Sequence, residues 1–242
     1  MKKQTENIYR KPVFYVHKED IGFGDLVPIL SSLVAKEKSN EKKWVGFLAG
    51  SGALLSIVSY INVSEWWIID NNTFVLDWIK KSIAAINRNK TLQNYEKYMY
   101  SNLLSKEAKK TGLDMHQGLF LEKYIFGKFH FLKTSKNYLK TRSFINKKPM
   151  HFFLGDLGDR NRIKAILDTL KKGDAEIVYA DISDLHTFNA ETLKTLSLIF
   201  TRQDIVIAWS AKEKTKSRFP SAHFSIGLSS YQSEVRKVQS SY

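Results

Sequence analysis

Small residues and carboxylates recur in this chain where apolar runs end, which are places that could hold a ligand. Gly50 and Gly52 follow the apolar run at residues 44–48, and Asp70 ends the next apolar run. Glycine lets a backbone turn sharply and approach a ligand closely. A carboxylate can accept two hydrogen bonds from a vicinal diol such as that of ribose. This spacing predicts a site for a ligand that contains a nucleoside.

Further polar residues follow the third and fourth apolar runs. Asp156 comes after the third run, and Asp181, Ser183 and His186 come at or after the end of the fourth. Asp181 could orient or deprotonate a substrate and Ser183 could hydrogen-bond it, while His186 is a second candidate base. Ordinary structural roles stay open for all of them, because aspartate often forms turns and helix caps and a histidine in a loop is often a plain surface residue.

Apolar runs alternate with helical patterns from residue 44 onward. The strand-like runs are residues 44–48, 66–69, 151–156, 175–183 and 204–210, and one or two short strands are expected within 217–230. The helical patterns are residues 52–61, 72–88 with a cap at Asn72 or Thr73, 160–172 ending at Gly173, and 189–200. Strands that alternate with helices predict an α/β fold, here a doubly wound, mostly parallel sheet with helices on both faces. In such a sheet, ligands bind at the carboxyl ends of the strands.

The rhythm of the sequence divides the chain. Residues 1–43 are predicted to form a mostly helical N-terminal extension, and residues 44–242 to form the sheet domain. Residues 92–148 interrupt the alternation with a helical pattern rich in tyrosine and lysine. We interpret that segment as a helical insertion or lid.

Positive charge is concentrated in this insertion. The chain has a formal net charge of +14, and residues 106–148 hold 11 Lys or Arg against 3 acids by direct counting. Such a field attracts phosphates, nucleic acid or an anionic membrane, although a solvated lysine-rich surface is the alternative. Aromatic residues interleave with these lysines and could stack on bases or form core packing. They are Tyr95, Tyr98, Tyr100, Tyr124, Phe126, Phe129 and Phe131.

Several classes of chemistry are disfavoured. The chain has no cysteine, which excludes disulfides, thiolate-zinc sites and cysteine nucleophiles. The six histidines are scattered and none forms an i, i+4 pair, so no metal site is expected. No apolar stretch has the length of a membrane span and no secretory signal is evident, so we expect a cytoplasmic protein.

The order of the glycine turn and the acids resembles that of class I S-adenosylmethionine-dependent methyltransferases, over roughly residues 44–210. The resemblance implies a Rossmann-like fold with S-adenosylmethionine as cofactor. It also implies a methionine-facing turn, a ribose-binding acid on the second strand, an adenine-binding acid after the third and an acceptor-facing loop after the fourth. The cofactor-binding residues would then be Leu48, Ala49, Gly50, Ser51, Gly52, Asp70, Asn71, Asp156 and Leu157, with Asp181, Ser183 and His186 facing the acceptor.

The resemblance leaves the acceptor open between a small molecule and an RNA or protein, with nucleic acid bound through the basic insertion as one possibility. Gly46 and Phe47 stand where members often carry an acid on the first strand. A Lys-Asp-Lys-Glu set, as in ribose 2′-O-methyltransferases, could be drawn only from Lys43, Asp181, Lys212 and Glu234. Two other functions remain: a non-catalytic binding module whose basic face docks nucleic acid or an acidic partner, and transfer of the cofactor's aminocarboxypropyl arm.

Overall fold

The described residues are those whose positions the computed structural model defines. They are residues 43–50, 54–106, 109, 123, 127–181, 205–207, 209–211 and 222–224. The predicted N-terminal extension, apart from its last residue, lies outside the described residues, and so does the helix predicted at 189–200.

Within the described residues, the main sheet has five parallel strands. They are β1 (Lys43–Ala49), β2 (Glu65–Asp70), β3 (Met150–Leu154), β4 (Ala175–Asp181) and β5 (Ile205–Ile207). Their spatial order is β3-β2-β1-β4-β5, and every neighbouring pair is parallel. Strand order reverses between β1 and β4, which places a topological switch point at the carboxyl end of β1. The α/β fold with a parallel sheet is therefore confirmed.

In the described residues, helices connect the first four of these strands. They are α1 (Leu54–Ile57), α2 (Thr73–Arg88), α3 (Leu92–Tyr98), α4 (Ser135–Lys147) and α5 (Arg160–Lys172). A π-helix at Met99–Leu104 continues α3, and a 3₁₀ turn at Gly127–Phe129 precedes α4. Asn72 caps the start of α2 and Gly173 ends α5, as their sequence signals predict. The first helix is shorter than the predicted residues 52–61.

Two hydrophobic clusters cover the two faces of the sheet. One cluster contains Trp66 and Ile68 of β2 with buried residues of α1, α2, α3 and α4. The other contains Trp67 and Ile69 of β2 with buried residues of α5. Successive side chains of a strand point to opposite faces, so α5 lies on the face opposite to α4. Helices on both faces agree with the doubly wound prediction.

The described part of the predicted insertion packs into the first cluster. Tyr95, Phe131 and Tyr138 are each at most 2% exposed and belong to the cluster that includes Trp66. Core packing, rather than base stacking, is therefore the role of Tyr95 and Phe131. Tyr98 and Phe129 are partly buried, Tyr100 is exposed, and Tyr124 and Phe126 lie outside the described residues.

The prediction of one strand over residues 204–210 is wrong. Ile205–Ile207 pair with β4, whereas β6 (Trp209–Ala211) pairs antiparallel with β7 (Ala222–Phe224) in a separate two-stranded sheet. The apolar run is continuous in sequence, but its two halves have different partners. The last short strand was predicted within 217–230 and lies there.

Candidate functional site

The carboxyl ends of β1, β2 and β3 bring the predicted glycine turn and acids to one edge of the sheet. Ala49 pairs with Ile69, and Asp70 pairs with Leu154. Beyond the strands, the Gly50 N–H donates to the carbonyl of Ile69 at 3.0 Å, and the Gly155 N–H donates to the carbonyl of Asp70 at 3.0 Å. These two bonds extend the ladder by one residue and align three consecutive strand tips.

Gly50 lies directly against the carboxylate of Asp70. Its φ of +85° is in the left-handed region that side chains disfavour. A β-carbon at this position would stand 3.9 Å from Asp70 Oδ2, and no other described residue would lie within 4 Å of it. The backbone therefore turns away from β1 at Gly50, and Gly50 adds no side chain to the space beside Asp70.

Asp70 also shapes the start of α2. The Asn72 N–H donates to Asp70 Oδ1 at 2.7 Å, and the Phe74 N–H donates to Asn72 Oδ1 at 3.0 Å. Asn72 is fully buried and is the N-cap, whereas Asp70 supports the turn that leads into the cap. The hydrogen bond from Asn72 thus gives Asp70 a structural role, and the same bond orients the Asp70 carboxylate at the end of β2. Asn71, between them, is half-buried.

Asp156 forms the turn after β3. The Gly158 N–H donates to Asp156 Oδ1 at 2.8 Å, and the Asp159 N–H donates to the Asp156 carbonyl at 3.1 Å. Asp159 in turn caps α5. Asp156 is half-buried. Leu157 is 3% exposed and belongs to the second hydrophobic cluster, so a ligand at this edge could meet its main chain but not its side chain.

Sequence reasoning missed Arg162 on the first turn of α5. Its Nη2 donates to the carbonyl of Leu154 at 2.9 Å. A β-carbon on Gly155 would stand 2.5 Å from Arg162 Nε, so the guanidinium occupies the space that a side chain there would need. The glycine before Asp156 was the available signal, because a glycine at a strand tip often marks close approach by another group. A cation is therefore held at the tip of β3.

The fourth strand places Asp181 next to the glycine turn in register. Asp181 pairs with Leu48 of β1 and with Ile207 of β5. Ser51, Gly52, Ser183 and His186 lie outside the described residues. Leu48 and Ala49 are buried in β1 and support the turn from beneath.

The Lys-Asp-Lys-Glu set is wrong for Lys43. In parallel register Lys43 pairs with Ala175 at the amino end of β4, while Asp181 ends the same strand. Six residues of strand separate the two positions, about 20 Å at 3.3 Å per residue. Lys43 instead forms an ion pair with Glu65 at 3.0 Å, at the opposite edge from the candidate site.

Glu65 anchors that opposite edge. Besides Lys43, its carboxylate accepts from the Trp67 indole N–H at 2.9 Å and lies 3.5 Å from His151 Nε2. Burial raises the pKa of Glu65, but the bonds from Lys43 and Trp67 and the charges of Lys43 and His151 outweigh it, so the pKa is lowered overall. The two ends of the sheet thus have different chemistry: a closed ion-pair cluster at one and the glycine turn with its acids at the other.

Within the described residues, no three His, Asp or Glu side chains gather as a metal site would require. No helix in the same part of the chain has the length and apolar character needed to cross a membrane. At the carboxyl edge, Gly50 follows β1, Asp70 ends β2 and Asp156 lies two residues after the end of β3. Carboxylates in such positions can accept hydrogen bonds from a polar organic ligand.

Comparisons with known proteins give similarity only among solved structures. No protein-family model matches the chain, and no curated protein matches it. One similar structure is "rRNA methyltransferase aviRa from Streptomyces viridochromogenes", with 9% identity and a TM-score of 0.48 over 92% of this chain and 88% of that chain. A second structure of aviRa has 9% identity and a TM-score of 0.43 over 86% of each chain.

Proposed function

We propose that this protein is an S-adenosylmethionine-dependent methyltransferase. The observation that carries the proposal is the position of Gly50, with its positive φ, beside the Asp70 carboxylate near the switch point of the parallel sheet. A turn without a β-carbon beside an acid on the next strand suits a ligand with both a ribose and a charged tail.

The residues present fit this cofactor. The space beside Asp70 that a β-carbon on Gly50 would partly fill is a cradle for the ligand, and the residues of the turn, Leu48 to Gly52, would face its methionine part. Asp70 would bind the ribose hydroxyls while Asn71 borders them, and Asp156 with the main chain of Leu157 would bind the adenine amino group and ring edge. When bound, the cofactor supplies a methyl group on a sulfonium, a reactive electrophile.

The chain's own task is alignment and proton handling. Asp181 is in register with Leu48 beside the turn, so its strand end adjoins the cofactor half of the site. We assign Asp181 to orienting or deprotonating the acceptor, Ser183 to hydrogen-bonding it, and His186 to a second base. Holding the acceptor in line with the methyl group is the main catalytic contribution expected of such a site.

Calorimetric titration with S-adenosylmethionine and with S-adenosylhomocysteine tests the cofactor. The informative variant is Asp70→Asn, because an asparagine Oδ1 can still accept from the Asn72 N–H and keep the turn into α2. We expect saturable binding by the wild type and a loss of about tenfold or more in Asp70→Asn, since a charged acceptor is replaced by a neutral one.

The matched control is Asp77→Asn, an exposed position on α2 with the same change of charge. It should bind like the wild type. Equal weakening in both variants would mean that net charge, not the site, governs binding. Absence of binding by a folded wild-type protein would overturn the proposal.

One observation supports a non-catalytic function instead. Asp70 and Asp156 each give one carboxylate oxygen to a main-chain N–H of their own turn, as they would in a fold that keeps them only for structure. Binding of the cofactor in the titration would count against that alternative. For a binding-competent protein, the mass of the modified acceptor separates methyl transfer from aminocarboxypropyl transfer.

A further inference from the structure

All the charged residues from the 3₁₀ turn to the end of α4 are cations. Residues 127–148 contain seven Lys or Arg and no Asp or Glu by direct counting. The cations are Lys128, Lys133, Lys136, Lys140, Arg142, Lys147 and Lys148. A helix on a protein surface ordinarily carries both signs of charge, because like charges one turn apart repel each other.

One face of α4 is fixed to the core, so its orientation is defined. The Tyr138 hydroxyl donates to the carbonyl of Asn89 at 2.6 Å, and the Thr141 hydroxyl donates to the carbonyl of Leu55 at 3.2 Å. Arg142 Nε donates to the carbonyl of Ile86 at 3.3 Å. Burial raises the pKa of Tyr138 to about 12, despite the opposing charge of Arg142. Arg142 thus stabilises the end of α2, while Lys136 and Lys140 are exposed.

Lysines and aromatic rings alternate on the surface beside α4. Lys140 Nζ lies 4.1 Å from the centroid of the Tyr60 ring, and Lys128 Nζ lies 5.1 Å from that of Phe129. The two rings meet edge to face with centroids 5.3 Å apart. With Lys136, one helical turn before Lys140, these residues are termed the lysine–aromatic cluster. Cation–π contact of this kind holds an ammonium in place without neutralising it.

The turn that carries Lys128 is tied to α4. Asn137 Nδ2 donates to the carbonyl of Lys128 at 2.8 Å and to that of His130 at 3.0 Å. The cations from two segments of the chain are therefore held on one connected surface. This order reduces the conformational entropy that flexible lysines lose when they bind a partner.

No acid in the described part of the chain balances the cluster. Among the residues that the structure describes, none of Lys128, Lys136 and Lys140 forms an ion pair with a carboxylate. Burial and then the charge of Lys136 lower the pKa of Lys140, as expected of an ammonium crowded by another. An anion bound between these lysines would relieve that repulsion.

We propose that the lysine–aromatic cluster binds the phosphodiester backbone of a nucleic acid. The phosphates of one strand can contact the ammonium groups of Lys128 and Lys140, which cation–π contacts hold in place, together with that of the exposed Lys136. Release of counterions adds to the affinity. A membrane surface fits less well, because a helix that lies on lipid exposes an apolar face. The apolar face of α4 is buried in the core, and among its described residues the one exposed large apolar side chain is Leu139. This inference does not rest on the proposed methyl transfer.

Fluorescence anisotropy with labelled single strands of about 20 nucleotides, one RNA and one DNA of the same sequence, tests the proposal between about 50 and about 200 mM salt. The variant is Lys128→Gln with Lys136→Gln and Lys140→Gln. Its matched control is Lys164→Gln with Lys171→Gln and Lys172→Gln, three exposed lysines of α5 on the opposite face. Both triple variants lower the net charge equally.

We expect the cluster variant to bind at least about tenfold more weakly, with a salt slope smaller by about two, since each lost phosphate contact removes about 0.7 from the slope for single strands. The α5 control should stay within about twofold of the wild type. A triple Lys→Arg variant of the cluster should retain affinity, because arginine keeps both the charge and the cation–π contact. Binding of either strand in this pattern supports the proposal, and the tighter of the two identifies the sugar.

Equal losses in the cluster and α5 variants would overturn the proposal, as would absence of saturable binding by the wild type. Tighter binding to phosphatidylserine vesicles, with the same dependence on the cluster, would assign the surface to a membrane and would also overturn it. Thermal unfolding of every variant checks the fold. The cluster variant should bind S-adenosylmethionine like the wild type, so failure of one proposal leaves the other testable.

Discussion

The indole of Trp66 on β2 occupies the space in the core that a side chain on Gly46 of β1 would need. A β-carbon on Gly46 would stand 2.6 Å from Cε3 of the Trp66 indole, so the ring lies against the β1 backbone. Gly46 pairs in register with both Trp66 and Tyr179, and the two rings meet edge to face with centroids 5.9 Å apart. The rings of Trp66 and Tyr179 thus fill the volume that a side chain at Gly46 would occupy.

Gly46→Ala is expected to lower the free energy of unfolding by about 2 kcal/mol, because the fully buried indole must shift in a packed core. Urea unfolding followed by tryptophan fluorescence measures it. Gly173→Ala, whose β-carbon would approach nothing closer than 3.4 Å, is the control and should change stability little. Adding Trp66→Phe should make the alanine at Gly46 less costly. An equal cost in both backgrounds would mean that the ring is not the obstacle.

Gly50→Ala separates backbone strain from ligand binding. Alanine at a φ of +85° should lower the free energy of unfolding by about 1 kcal/mol. Gly127→Ala is a matched control, because Gly127 also has a positive φ, of +49°, and no described residue would lie within 4 Å of a β-carbon there. Both variants should lose similar stability in urea. Only Gly50→Ala should bind S-adenosylmethionine more weakly, by about tenfold, since its methyl enters the space beside Asp70.

Gly155 and Arg162 should show strong energetic coupling. Gly155→Ala alone should destabilise the protein by about 1 kcal/mol, because the guanidinium must move away from the new β-carbon and lose its hydrogen bond to the Leu154 carbonyl. In an Arg162→Ala background the same change should cost much less, since the obstacle has gone. A double-mutant cycle of urea unfolding measures the coupling, which we expect at about 1 kcal/mol. Additive effects would show that the guanidinium moves aside freely.

Glu65 predicts loss of stability in acid. Its pKa in the folded protein is lowered from the usual value of 4.5, so its contribution is fully present above pH 4.5 and is lost as the pH falls through the folded pKa. Urea unfolding of the wild type and of Glu65→Gln should therefore differ most near neutral pH and converge as the pH falls below 4.5. A constant difference across this range would contradict the assignment.

The helices α2 and α5 could be predicted closely because their signals are local. Asn72 accepts from the Phe74 N–H two residues on, and Gly173 directly follows the last turn of α5. The end of β5 could not be predicted in this way. One apolar run continues past Ile207, and the separate pairing of β6 depends on Ala222–Phe224 farther along the chain.

The candidate site was predictable in outline. Gly50 follows β1 and Asp70 ends the neighbouring parallel strand β2, so their proximity could be expected from the pattern alone. The partners of Asp156 and the position of Arg162 depend on the turn geometry after β3, which no spacing encodes. Likewise, the sequence alone does not reveal why residue 46 is a glycine rather than an acid. The reason is its close contact with Trp66 on the neighbouring strand.

The pairing of β1 with β4 has a consequence for the order of folding. β1 and β2 are close in the chain and can pair early, whereas Leu48 meets Asp181 only after most of the chain has been enclosed in a loop. Closing so long a loop costs entropy before any contact is gained, so this pairing is expected to be among the slow steps. Gly50 and Asp70 of the candidate site lie on the β1 side of this pairing, and Asp181 lies on the β4 side. A chain being synthesised would therefore form the part of the site around Gly50 and Asp70 first. The complete site would form only after β4 and β5 have left the ribosome.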